Sequence, residues 1–142
     1  MKTIIISFIG ATFTFISCDT VTDESNNYDY SIEQKMDCYC TQGGVWVKLY
    51  ITADTVSAAT RILDNYKLEY NDFWFYKSIK DLYNEIAETD TNTYTLIVEY
   101  DANNYPSYLF KDPKPIVIND TTTISIADAQ ITYTTKNYIK LN

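Results

Sequence analysis

Histidine is missing from all 142 residues of this chain. Its absence removes imidazole as a general base, the Ser-His-Asp and Cys-His arrangements that activate a nucleophile, and every His-ligated metal site. Positive charge is scarce as well: 11 Lys and Arg face 19 Asp and Glu, a formal net charge of −8. An acidic surface repels phosphate backbones, so nucleic acid is not an expected partner. Anionic lipid headgroups would not attract it either. No apolar run reaches the roughly 18 residues that a spanning helix needs. With so few catalytic groups, the expectation is a protein that is not an enzyme and holds no cofactor or metal.

What is present begins with an export signal. Met1 and Lys2 give a short basic start, and residues 3–16 are apolar or weakly polar, with Ile4, Ile5, Ile6, Phe8, Ile9, Phe13 and Phe15. That layout is a secretory signal peptide over residues 1–17. Its end, Phe15-Ile16-Ser17-Cys18, resembles the lipobox of bacterial lipoproteins, with Phe15 where Leu is usual. The resemblance implies that Cys18 is lipidated and holds the protein at a membrane. Each buried methylene contributes about 0.8 kcal/mol, so more than one acyl chain makes a stable anchor. The other reading is an ordinary signal peptide with Cys18 a free thiol. On the lipoprotein reading the protein sits in the cell envelope, at the outer or inner membrane, facing the periplasm or the surface. Residues 18–27 then form the lipidated cysteine and a polar, flexible tether.

Residues 28–142 read as one domain. The chain is 15% aromatic, with 14 Tyr, which marks a folding sequence and not an acidic disordered tail. Alternation of apolar and polar residues dominates. Tyr28, Tyr30, Ile32 and Met36 share one parity, and Val45, Val47, Leu49 and Ile51 do so after the Gly43-Gly44 turn. Gly-Gly between two such runs predicts a hairpin. A third strand falls within residues 54–63, and residues 65–76 are ambiguous. Ser78 and Asp81 form a capping pattern. Ile79, Leu82, Tyr83 and Ile86 then build one apolar stripe, with Lys80, Asp81, Asn84, Glu85 and Glu88 on the outer face. Tyr94, Leu96, Val98 and Tyr100 give a further strand, residues 106–110 return, and a last strand covers about residues 130–139. The predicted fold is α+β: an antiparallel sheet of about five to seven strands with one helix packed on one face.

These residues, in their order, resemble small bacterial lipoproteins of the domain-of-unknown-function family numbered 6174. The likeness rests on Tyr30-Ser31-Ile32, Cys38-Tyr39-Cys40, Val45-Trp46-Val47, the helix opening from Ser78 through Ile86, Tyr100-Asp101, Tyr105-Pro106, Asp128 and Ile131-Thr132-Tyr133. It implies fold and location, and no activity.

Three constellations remain. Cys38 and Cys40 would be an even pair in an oxidising compartment once Cys18 is lipidated. On an extended strand their Cα atoms lie about 6.7 Å apart, at roughly 3.3 Å per residue, close to the upper limit for a disulfide. A local disulfide and a buried thiol pair both stay open. Residues 70–76 hold Tyr70, Phe73, Trp74, Phe75 and Tyr76. Partly exposed, with Trp46 as a candidate addition, they would contact a glycan or a peptide; buried, they would fill the core. Asp101, Asn103 and Asp112 imitate a calcium loop, but Pro106 stands at the sixth place, where Gly is required. A β-turn closed by Asp101 and Asn104 explains the same residues. The leading functional expectation is a non-enzymatic module that binds an envelope protein or supports an assembly. The alternative is a ligand-binding lipoprotein that uses the aromatic patch.

Overall fold

A computed structural model describes residues 27–38, 43–126 and 129–141. The expected signal peptide, Cys18, Cys40 and most of the expected tether lie outside the described residues. Among the described residues, seven strands form one antiparallel sheet: β1 (Tyr30–Asp37), β2 (Trp46–Thr52), β3 (Thr55–Arg61), β4 (Tyr66–Lys67), β5 (Tyr94–Tyr100), β6 (Pro106–Pro113) and β9 (Ile131–Lys140). Their order across the sheet is β4-β3-β2-β1-β9-β6-β5. The helices α1 (Tyr70–Phe73) and α2 (Ile79–Glu88) lie between β4 and β5 in the chain. The strands β7 (Ile116–Asn119) and β8 (Thr122–Ile124) pair as a separate hairpin. The protein is therefore α+β as expected. The short α1 and the β7–β8 hairpin are additions that the sequence pattern did not announce.

The alternation explains the layering. In the β1–β2 hairpin Ile32 pairs with Leu49 and Tyr30 with Ile51, and all four are buried. Val47, Leu82, Leu109 and Tyr133 join the same core. Side chains of one parity point to one face, so these strands give their apolar face to the helices. Their other face carries Glu33, Lys35, Trp46 and Lys48. Gln34 breaks the apolar run on the buried face and is fully enclosed. Its amide oxygen accepts from the Lys77 backbone N–H at 2.9 Å, and its Nε2 donates to the Lys77 carbonyl and the Thr135 hydroxyl, both at 3.1 Å. A buried amide left without partners would be costly. Here it fastens the chain entering α2 to the middle of the sheet.

The capping pattern forms as read. The Ser78 hydroxyl accepts from the Asp81 N–H, and the Asp81 carboxylate accepts from the Ser78 N–H, closing a capping box. The stripe differs from expectation. Leu82 is fully buried, and Ile79 and Ile86 pack against the core. Tyr83 is 41% exposed. Glu85, assigned to the solvated face, instead turns toward the sheet: Lys111 of β6 donates to it at 2.5 Å and Lys77 lies 3.3 Å away. The helix is rotated so that a carboxylate joined to two ammoniums sits beside the apolar stripe, and the phenol moves outward.

Candidate functional site

A groove of about 590 Å³ opens beside the start of α2, lined chiefly by Tyr30, Tyr83, Tyr105 and Tyr138, with Asp54 and Lys80 at its rim. Each side chain arrives by a separate local device. Tyr30 opens β1 and is buried; its hydroxyl accepts the Ile79 N–H at 3.2 Å, an otherwise orphan donor of the first helical turn. Burial raises the pKa of this phenol above its ordinary value, and the hydrogen bond from Ile79 only partly offsets that.

Tyr138 reaches the groove because β9 bulges. Ser31 pairs with Ile139 but Glu33 pairs with Lys136, so Asn137 and Tyr138 together stand opposite Ile32. Such a bulge re-aims side chains. Asn137 takes φ 53°, a left-handed conformation that Asn tolerates, and its amide donates to Glu33 at 2.8 Å. The Tyr138 ring then lies 5.2 Å from that of Tyr30 and 5.9 Å from that of Tyr105.

Tyr105 follows the tight turn between β5 and β6. Asp101 accepts from the Asn103 and Tyr105 N–H groups, and the Asn104 N–H donates to the Asp101 carbonyl. Asn104 has φ 63°. This is the β-turn expected from the sequence, built on an Asp side chain. Burial, then the Asp101 carboxylate, pushes the Tyr105 phenol up. Tyr83 donates from its hydroxyl to the Asn104 carbonyl, and its ring stacks on Tyr100 at 6.3 Å. Asp54 comes from the two-residue β2–β3 turn, where Ala53 and Asp54 both have positive φ, as a primed turn requires. It meets Lys80 at 3.2 Å. The groove thus offers two half-exposed phenol rings, Tyr83 and Tyr138, over a floor of buried ones, with one charge of each sign and the amides of Asn103 and Asn104 around them.

The residues singled out from the sequence fall elsewhere. Phe73 and Tyr76 are buried, Phe75 is half-buried, and Tyr70 and Trp74 are 68% and 66% exposed. The Tyr76 hydroxyl donates to the Val45 carbonyl, and burial pushes its pKa up to about 12. A small hollow of about 100 Å³ lies between Tyr70, Trp74, Val56 and Asp81. Trp46 is not part of this patch. Its neighbour Val47 faces the helices, so Trp46 faces away, beneath the Lys136 ammonium at 4.0 Å. Cys38 carries a disulfide bond and packs against the core; Cys40 lies outside the described residues. Among the described residues no cluster of three or more Cys, Asp or Glu is placed to hold a metal, and no helix is long and apolar enough to cross a membrane.

Every tyrosine of the groove escaped the sequence reading as a site residue. The available signals were indirect: Asn137 inside a strand pattern and Asn104 before Tyr105, both marks of left-handed backbone that redirects a neighbour.

By architecture this is a sheet-and-helix α+β domain with an aromatic groove. The model of a family of unknown function, DUF6174, matches residues 22–138, and the chain belongs to that family. No curated protein and no solved structure matches it.

Proposed function

We propose that this chain is a lipid-anchored cell-envelope protein whose domain is a non-enzymatic binding module, and that the tyrosine groove receives an extended segment of a partner protein. The observation that carries the reading is the groove itself. About 590 Å³ lies within the range of sites that enclose small ligands or short segments. Tyrosine supplies apolar area and a polar tip with little rotamer freedom to lose, which suits recognition. Asn103, Asn104 and the Asp54–Lys80 pair supply donors and acceptors for a peptide backbone. The anchor at Cys18 and the tether would hold this groove near a membrane.

A second reading has its own support. Tyr70 and Trp74 are the most exposed rings of the 70–76 segment and flank the small hollow. Such a surface suits stacking on a glycan.

The test is photocrosslinking in the intact envelope, with a photoreactive residue placed at Tyr83, at Trp74, or at the exposed Lys67 as a control. Protein adducts from Tyr83 in excess over Lys67 are expected. Equal yields from Tyr83 and Lys67 would sink the groove, and glycan adducts confined to Trp74 would move the site to the aromatic segment. For the anchor, Cys18→Ala should abolish partition into a detergent phase; unchanged partition would refute lipidation.

A further inference from the structure

The two edges of the sheet are built differently. At one edge the two-residue β4 pairs only with Thr60 and Arg61 of β3, and the rest of β3 is interrupted by a bulge at Ser57. The other edge, β5, runs seven residues, and among the described residues nothing bonds to its outer side between Thr95 and Glu99. Soluble proteins protect such an edge with proline, lysine, a bulge or a cover. β5 has no proline and no lysine, and its one irregularity, opposite Ser107, belongs to β6. Ile97 at its centre is 48% exposed.

We propose that β5 pairs antiparallel with β5 of a second copy, joining the two sheets across a twofold axis at Ile97. The strand's own sequence selects this partner and this register. In a twofold antiparallel pair, directly opposite residues share a face, so the axis must pass through a residue and not between two. Centring on Glu99 would set two carboxylates opposite each other. Centring on Leu96 or Val98 would leave part of the strand unpaired. Centring on Ile97 uses all seven residues. Ile97 then meets its own mate, Leu96 meets Val98, Thr95 meets Glu99, and Tyr94 meets Tyr100. Apolar pairs fall at the middle, aromatic pairs at the ends, and no like charges face each other. Leu96 and Val98, half-buried on the helix side, would become interior and extend the core across the axis.

Cysteine pairing in the full-length chain, expressed in its own envelope, tests the register. Opposite Cα atoms in antiparallel strands lie about 4.5–5.5 Å apart, within the roughly 4.4–6.8 Å of a disulfide. Ile97→Cys should give a reducible species of twice the chain mass on a non-reducing gel. Glu99→Cys alone should stay at the background of the parent, and Thr95→Cys with Glu99→Cys should restore the doubled species. Monomer only from Ile97→Cys, equal yields from all three variants, or a crosslinked mass other than twice the chain would each overturn the proposal. Ile97→Lys sets two ammoniums opposite each other. In sedimentation of the detergent-extracted chain it should weaken self-association by about tenfold or more, roughly 1.4 kcal/mol, with an unchanged circular dichroism spectrum. Undiminished self-association of a folded Ile97→Lys protein would refute the pairing.

Discussion

The 70–76 segment and the tyrosine groove flank the start of α2 and draw on the same aromatic chemistry, yet they are assembled in opposite ways. The segment packs five aromatics into seven consecutive residues, and folding divides them: Phe73 and Tyr76 go inside while Tyr70 and Trp74 stay out. The groove collects Tyr30, Tyr83, Tyr105 and Tyr138 from β1, α2, a turn and a bulge in β9. A dense local cluster cannot aim all its rings one way, because neighbouring residues of a turn or short helix point in different directions. Scattered residues, each placed by its own turn, bulge or hydrogen bond, can converge. Sequence density therefore marked material for packing, and convergence made the cavity.

The largest effect should separate the two halves of the segment. Phe73→Ala should cost about 3–5 kcal/mol by removing a buried ring and leaving a cavity. Trp74→Ala, one residue on and mostly exposed, should stay within about 0.5 kcal/mol of the parent. Urea denaturation of both variants checks this. A large loss from Trp74→Ala would mean that the segment is structural throughout and offers no binding surface.

Gln34→Leu comes next. It keeps the volume approximately but strips the partly buried Lys77 N–H and carbonyl of their partner, which costs about 1 kcal/mol, the lower end of the penalty for unsatisfied backbone groups. Because Lys77 precedes the helix cap, hydrogen exchange at residues 77–80 should rise more than at β1 and β2. Uniform exchange changes would show that Gln34 merely fills space.

The fold class, the capped helix and the strand parities were legible because each rests on local periodicity. The lining of the groove was not, for reasons visible at single residues. Tyr138 follows an unbroken alternation that only Asn137 disturbs, and a one-residue bulge reverses which way a ring points. Tyr83 lies at the edge of the apolar stripe, where helix rotation by a fraction of a turn decides between core and solvent. Glu85 stands at that boundary as well. Helical spacing puts it on the outer face with Glu88, and that placement fails because Lys77 and Lys111 come from other elements to meet it.

Glu85 also gives the smallest effect with a definite sign. Burial alone would raise the pKa of this carboxyl, but the hydrogen bond from Lys111 and the two nearby ammoniums outweigh it, so the pKa in the folded protein is lowered. A lowered folded pKa means that the unfolded chain takes up the proton first as pH falls. The contribution is therefore fully present above the unfolded carboxylate value of about 4.3, and it is lost as pH drops through the lower folded value. Glu85→Gln should be less stable than the parent near neutral pH by on the order of 1 kcal/mol, the scale of partly exposed ion pairs. The gap should close as pH falls below about 4, and it should narrow in high salt, as partly exposed pairs are screened. Urea midpoints of both proteins, measured between neutral and acid pH, check the sign. A gap that stays constant into acid would show that Glu85 acts through packing, and that the rotation of α2 is fixed by Leu82 and Tyr83 without help from the charge.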